Sequence, residues 1–422
     1  MKGRCLLVSA IVMAWCLATP PAAHGTFSAQ ARLVAIRAGK VLDVKTGTYL
    51  IQQVIWIEGE RIRQMGLASE LLRQLPIGTP VIDLSDATVL PGLIDCHVHL
   101  TVSPESLANA TAAAQARGSS GIGDPDPSSR RLTEIAKQNA RITIEGGFTT
   151  VRNLGSLDNA DIELRDAIGS GDIVGPRMLV AGAALTGRVK GVAEVRAAVS
   201  ENVTRRVDVI KFFATGGVLV ANDITAETYS REEMRSIIET AHSMGRKTAA
   251  HAHGSVGIKD AVLAGVDSIE HGSGITEETI QVMKQRGTYL VPTVYVGQWY
   301  QENARNLGLP ASQAIPGRSE NLARAFREGV KVAFGSDSGT FPHGLSGREF
   351  SAMVALGMTS TEAVRAATVN AAELIGWSDR VGTLESGKFA DVIAVEGDPL
   401  SDVRVLEHVR FVMKSGEVVK AR

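Results

Sequence analysis

Cysteine is almost missing from this chain, with three residues in 422. Cys5 and Cys16 lie in an N-terminal apolar stretch, so Cys96 stands alone in the rest, and no intramolecular disulfide can form there. Aromatics are few, 5% of the chain, and the formal net charge is only −1. That balance argues against nucleic acid or a polybasic membrane contact as partner. No glycine-rich phosphate loop follows any apolar run, which counts against a nucleotide site. The longest apolar run, Cys5–Ala18, is short of the roughly 20 residues that span a bilayer. With Lys2 and Arg4 before it and Ala29-Gln30-Ala31 behind it, the run reads as a secretory signal over residues 1–31. The expectation is a periplasmic or secreted protein with no membrane contact after cleavage. Cys96 alternates away from its histidine neighbour and reads as a packing residue.

What the chain has in quantity is glycine, 43 residues, and an alternation of short apolar runs with helical patterns. Residues 32–88 and 380–422 share a β texture. Val54–Gly66 places two strands around Glu58-Gly59-Glu60, and Val81–Leu84 and Thr88–Leu90 add more. Ala390–Val395 reads as a strand, and Val409–Val419 as a hairpin turning at Ser415-Gly416. The two ends are expected to meet in one small β-sandwich domain, with residues 89–379 inserted between them.

The insert supplies candidate strands at Val89–Cys96, Thr149–Leu154, Arg177–Ala181, Val209–Ala214, Thr248–His253, Ser268–His271, Tyr289–Tyr295 and Lys331–Ser336. Ser230-x-x-Glu233 and Thr359-x-x-Glu362 are capping boxes, and Thr276 can cap a third helix. Eight such strand–helix units fit an α/β fold of the (β/α)8 TIM-barrel type; an open doubly wound sheet is the alternative. Residues 102–130 and 297–325 are long connections of the kind that form lids or surface loops.

Residue types that ligate metals recur at the ends of these strands. His97 and His99, at i and i+2, project to one face of a strand. His251 and His253 repeat the spacing in AHAHG, His271 follows in IEHG, and Asp337 sits in GSDSG. Lys211 lies in VIKFFAT, where burying an ammonium is costly unless its charge is removed or paired. Reaction with CO2 to a carbamate is one solution; a neutral or ion-paired core lysine is the other. Barrel chemistry sits at C-terminal strand ends, where all of these residues fall.

PGLIDCHVHL, the strand lysine, HAHG, IEHG, GSDSG and Val381–Asp391 (VGTLESGKFAD) together resemble the amidohydrolase superfamily. The resemblance is nearest to its imidazolonepropionase-like, prolidase (Xaa-Pro dipeptidase) and carboxypeptidase branch, which includes ochratoxin A amidohydrolases. It covers nearly all of residues 33–420. It implies two divalent ions, usually Zn²⁺: His97, His99 and Asp337 hold one, His251 and His271 the second, and Lys211 bridges them as a CO2-derived carbamate. His253 then faces the substrate, although the opposite choice within HAH is physically open. Relatives commonly form dimers or larger rings up to octamers, so a homo-oligomer is expected.

The activity implied is hydrolysis of an amide, releasing a C-terminal amino acid from a dipeptide or N-acyl amino acid, ochratoxin A among the candidates. Asp337 would shuttle a proton and His253 would stabilise the developing oxyanion. Arg188, Lys190, Tyr295 and His343 are candidate contacts for the substrate, with Lys190 read as a solvated surface residue. Hydrolysis of a cyclic amide or lactone is the alternative reaction, and a periplasmic metal- or ligand-binding protein is the non-enzymatic one.

Overall fold

The computed structural model describes residues 33–106, 129–156, 159–217, 223–303 and 318–421. The signal at residues 1–31 and most of the two long connections lie outside them. The chain ends do meet. Strands β1 (Leu33–Asp43), β2 (Thr48–Glu58), β3 (Arg61–Leu67) and β4 (Val81–Pro91) join β12 (Val392–Val395), β13 (Val409–Lys414) and β14 (Glu417–Ala421) in one seven-stranded sheet. Its order is β14-β13-β12-β4-β1-β2-β3. The expected turns are in place: Gly59 has φ +59° between β2 and β3, and Ser415 and Gly416 turn the last hairpin. The sheet curls so that its far edge meets the approach to β12. Ile62 N donates to Lys388 O, and Arg61 bridges to Phe389. Enclosed is a core that includes Ile36, Ile55, Ile57, Val89, Val392 and Phe411.

β4 leads directly into the central layer. Val89–Cys96 is expected as one strand, but the chain breaks at Gly92, leaving Pro91 in the curled sheet and opening β5 (Leu93–Val98) in another. A Cβ at position 92 would lie 2.1 Å from Thr149 Oγ1, so only glycine allows this crossing. Parallel pairing then runs β5–β6 (Phe148–Asn153)–β7 (Arg177–Val180). A second parallel sheet runs β8 (Val209–Phe213)–β9 (Lys247–Ala252)–β10 (Ser268–His271)–β11 (Tyr289–Val291). Asp208 N donates to Val180 O, and Leu185 bridges Phe212, linking the two sheets on one side.

Residues 331–338 link them on the other. Ala333 N donates to Leu290 O, Cys96 N to Phe334 O, and Asp337 N to His97 O. This is the expected eighth strand, but it forms only isolated bridges, at Val332 and Ser338. Its backbone turns at Asp337, where φ is +66°, so no regular ladder can continue.

Helices α1 (Ala68–Gln74), α2 (Ser129–Glu145), α3 (Ala160–Gly169), α4 (Val192–Thr204), α5 (Arg231–Ser243), α6 (Ser255–Ala264) and α7 (Glu277–Arg286) intersperse the strands. They are followed by α8 (Val294–Asn303), α9 (Arg318–Arg327), α10 (Arg348–Ala355), α11 (Ser360–Ala366) and α12 (Val369–Leu374). The capping boxes close as the sequence predicts. Ser230 accepts from Glu233 N at α5, and Thr359 from Glu362 N at α11; Thr276 caps α7. Each such cap contributes about 1 kcal/mol. None of the described helices is long and apolar enough to cross a membrane. Cys96 is buried as expected, packed with Ile94, Leu179 and Tyr289.

Candidate active site

The C-terminal ends of these strands bring the metal-ligand candidates together. His97 is the penultimate residue of β5, and His99 directly follows the strand; their rings lie 5.4 Å apart. Asp337 Oδ1 lies 3.5 Å from His97 Nε2 and 3.3 Å from His99 Nε2. On the opposite strands, His251 Nδ1 is 2.9 Å from His271 Nε2. His253 packs on both, with ring centroids 4.7 Å from His251 and 4.9 Å from His271. Two triads offer ligand atoms within 4.8 Å of one another: His97, His271 and Asp337, and His251, His253 and His271.

Glycines bracket Asp337 because there is no room beside it. A Cβ at Gly335 would stand 2.9 Å from His97 Cβ, and one at Gly339 would stand 2.3 Å from His99 O. His271, Thr293 and Asp337 are all non-glycine residues with positive φ, at +70°, +47° and +66°. Such backbone conformations cost of order 1–3 kcal/mol each and persist where surrounding contacts impose them, commonly at functional sites.

The far sides of four of the five rings are held. His97 Nδ1 meets Glu270 Oε2 at 2.8 Å, and Arg152 holds Glu270 Oε1 at 2.9 Å. His99 Nδ1 faces Gly155 O at 3.3 Å. His271 Nδ1 contacts Thr293 Oγ1 at 2.7 Å, and His253 Nδ1 contacts Ser273 Oγ at 2.9 Å. Asp95 joins β5 to the 331–338 segment by accepting from His97 N and Ser336 N, each at 3.0 Å. Partners behind metal-binding rings fix tautomer and orientation.

Burial governs the charges. It pushes the His97 imidazole down to about 4 and that of His253 to about 3, and holds His251 and His271 well below the usual histidine range. All four are therefore neutral at physiological pH, with lone pairs available. Burial also lowers the Lys211 ammonium to about 8, against the pull of Glu270 and Asp337. Burial opposes ionisation of Asp337, but His97, His99 and Lys211 overcome it and hold the carboxyl below its usual range. Glu270 is held to about 2 against the same penalty, chiefly by Arg152 and His97.

Among the candidate ligands, two buried atoms lack a hydrogen-bond partner: Lys211 Nζ and His251 Nε2. An unpaired buried amine beside converging neutral imidazoles and a carboxylate is expensive as a protein core. The same donor set suits divalent cations of the Zn²⁺ type, so the residues fit a metal centre.

The expected substrate contacts fare differently. Tyr295 was expected at the end of the seventh strand. β11 instead stops at Val291, and Tyr295 stands in the first turn of α8, where Arg348 Nη1 donates to its hydroxyl at 3.0 Å and Phe341 packs on its ring. His343 is half-buried beside the site, between Thr143 Oγ1 at 3.0 Å and His99 O at 3.4 Å. Arg188 and Lys190 are exposed between β7 and α4, and Lys190 Nζ donates to Thr228 O.

Sequence reasoning missed Arg152, Glu270, Thr293, Ser273 and Arg318. Arg152 and Glu270 carried a usable signal, since each is a charged residue inside an apolar strand. Arg318, at the start of α9, had none. Its Nη2 donates to Thr293 O at 2.9 Å, one residue's backbone from the His271 contact.

Residues 88–419 match the amidohydrolase family. Ochratoxinase of Aspergillus niger is 31% identical over 379 residues, covering 79% of this chain and 75% of that protein. Its solved structure aligns with a TM-score of 0.80 over 93% of this chain and 96% of that one, at 27% identity. A Xaa-Pro dipeptidase solved with methionine in its active site aligns with a TM-score of 0.83 at 34% identity, over 92% of this chain and 99% of that chain. The imidazolonepropionase of Deinococcus deserti is 28% identical over 360 residues, 78% of this chain and 83% of that protein. The chain belongs to the amidohydrolase family and is a hydrolase acting on amide bonds.

Proposed function

We propose that this enzyme carries two divalent metal ions and releases the C-terminal amino acid from a dipeptide or N-acyl amino acid, ochratoxin A being one candidate substrate. The observation that carries the reading is the meeting of His97 and His99 Nε2 with Asp337 Oδ1, opposite the His251 Nδ1–His271 Nε2 contact, beside the unpartnered Lys211 Nζ. His97, His99 and Asp337 would hold one ion and His251 and His271 the other, with Lys211, as a carbamate formed with CO2, between them. The ions, most suitably Zn²⁺, supply Lewis acidity, which polarises the scissile carbonyl and lowers the pKa of a water molecule. The linked strands are read as a (β/α)8 barrel whose eighth strand is the 331–338 segment, and the curled sheet as its small β domain.

The residues then divide the work. Asp337 accepts a proton as the water oxygen bonds to the carbonyl carbon, and returns it to the nitrogen as the carbon–nitrogen bond breaks. His253, anchored through Nδ1 to Ser273, presents its other face to the carbonyl oxygen and steadies the charge that develops there. Glu270 and Arg152 keep the His97 ring from turning.

A release assay on purified protein tests the reading, with Xaa-Pro and Xaa-Phe dipeptides, N-acyl amino acids and ochratoxin A as substrates and metal content measured on the same sample. Amino acid release that disappears with chelator and in Lys211→Ala is the expected result. Two metals per chain without release from any linear amide would sink it. The likeness to imidazolonepropionase favours ring opening of a cyclic amide as the second reading, and that outcome would move weight to it.

A further inference from the structure

Beyond the ligand set, the buried polar atoms at this end of the strands that lack a hydrogen-bond partner include Ser338 Oγ, Arg318 Nε and the Tyr300 hydroxyl. The last two come from different elements, Tyr300 from α8 and Arg318 from α9, and the Arg318 guanidinium packs on α8 one turn before Tyr300. Gly297 and Tyr300 are three residues apart on α8 and so lie on one face of it. A long side chain on a helix covers the turn before its own Cα, so Tyr300 lies toward Gly297. The Arg318 guanidinium packs over Gly297: a Cβ there would stand 2.4 Å from Arg318 Nη1.

The site side of this pair is equally defined. Arg318 Nη2 donates to Thr293 O, and Thr293 Oγ1 contacts His271. One turn further along α9, Asn321 donates to Ser273 O, beside the His253 contact. Both Arg318 and Tyr300 feel the Asp337 carboxylate. Glu349 is another internal carboxyl that acts on Arg318, but burial pushes it up to about 8, and its two oxygens accept from Val294 N at 2.8 Å and Tyr295 N at 2.6 Å.

The other buried cations here are committed. Arg152 is bonded to Cys96 O, Ser268 and Glu270, and Lys211 is assigned to the metal centre. Among the described residues Arg318 is therefore the cation of this site that keeps a buried, unused donor. A guanidinium with such a donor, and a phenol hydroxyl one helical turn along α8 from the glycine it packs on, match a carboxylate, which accepts several charge-assisted hydrogen bonds.

We propose that Arg318 and Tyr300 form the anchor for the carboxylate of the amino acid that is released, and so make the enzyme select a free C-terminal acid. This rests on the amide-hydrolase reading above. A side chain that contributes only by holding Thr293 would lower all activity without changing which substrate is preferred.

The test compares N-acetyl-L-phenylalanine with its C-terminal carboxamide on the wild-type, Arg318→Met and Tyr300→Phe proteins, by kcat and KM. Calorimetry of L-phenylalanine and L-phenylalaninamide runs in parallel. The wild type is expected to prefer the acid and to bind phenylalanine over its amide. Arg318→Met is expected to reduce the acid-over-amide ratio of kcat/KM by about 10- to 100-fold, mostly through KM, as for hydrogen bonds to a charged group. Tyr300→Phe, which removes one oxygen and no packing, should reduce it by about 2- to 10-fold. Tyr300→Phe decides the matter if Arg318→Met does not fold.

An acid preference that survives in the variants, or a wild type that turns over acid and amide alike, overturns the anchor and leaves the hydrolase reading standing. No hydrolysis by the wild type, with phenylalanine binding that depends on Arg318, keeps the anchor and overturns that reading. No hydrolysis and no carboxylate-dependent binding overturns both.

Discussion

Arg152 and Glu270 form a buried ion pair, 2.9 Å from Nη2 to Oε1, with side chains 2% and 0% exposed, and its free carboxylate oxygen orients the His97 ring. Removing one partner of such a pair leaves an uncompensated charge. Arg152→Met is predicted to cost about 3–5 kcal/mol in urea unfolding. It should also weaken metal binding by about 10- to 100-fold, because His97 loses its orienting partner. Adding Glu270→Gln should restore part of the stability but not the metal affinity. A single variant as stable as the wild type would remove the pair from the argument.

Lys211→Ala makes the opposite prediction for stability. Lys211 Nζ is buried without a partner, so its removal relieves a desolvation penalty. The metal-free variant should melt at the wild-type temperature or above it, while bound metal and amide hydrolysis are lost. With ¹³C-labelled bicarbonate, the wild type should give a carbamate carbon signal that the variant lacks. An identical spectrum from both proteins would count against the lysine carbamate.

Asp337→Asn separates metal binding from proton transfer. The amide keeps one oxygen to face His97 and His99 but cannot take a proton. We predict that kcat falls by about 10²- to 10⁴-fold, the usual scale of general acid–base catalysis, in protein that still binds metal. Full activity at unchanged metal content would eliminate the shuttle.

Away from the site, His242 Nε2 and Asp267 Oδ2 pair at 2.7 Å. The bond to Asp267 raises the His242 imidazole above its usual range, and His242, Lys247 and Thr248 overcome burial to hold Asp267 at about 2. The histidine part is present below the unfolded value of 6.5 and is lost as pH rises through the raised folded one. The aspartate part is present above 3.8 and is lost as pH falls through about 2. His242→Gln should therefore lower the melting temperature most at about pH 5, with the difference shrinking by about pH 9. Since His242 is 42% exposed, the effect is small, below about 1 kcal/mol. A difference that grows toward alkaline pH would contradict the assignment.

Much of this arrangement was legible before folding because it is local. Period-two alternation puts His97 with His99, and His251 with His253, whatever lies elsewhere, and the observed ring separations follow from it. Capping boxes close over three residues, so α5 and α11 begin where the sequence says. The texture shared by the two chain ends announced a common sheet, since unpaired β segments need partners.

The misreadings fall where local pattern competes with long-range contact. Tyr289–Tyr295 is apolar enough for a strand, but Glu349, more than fifty residues away, caps Val294 N and Tyr295 N and starts a helix there. That capping turned Tyr295 from a strand-end contact into a partner of Arg348. The strand read across Gly92 is divided between two sheets at a point where Thr149 leaves no room for a Cβ, a contact that no neighbouring residue foretells.

The sequence by itself determined the residue types: imidazoles, one lysine and one aspartate at strand ends. Residue type and short-range geometry suffice for that. Only the tertiary structure decided which nitrogen of each ring turns inward, what braces it, and that Arg318 of α9 packs on Gly297 of α8, one turn before Tyr300. Those outcomes depend on contacts between elements distant in the chain, and a ring's direction is settled by the partner that packing brings behind it, not by its neighbours in sequence.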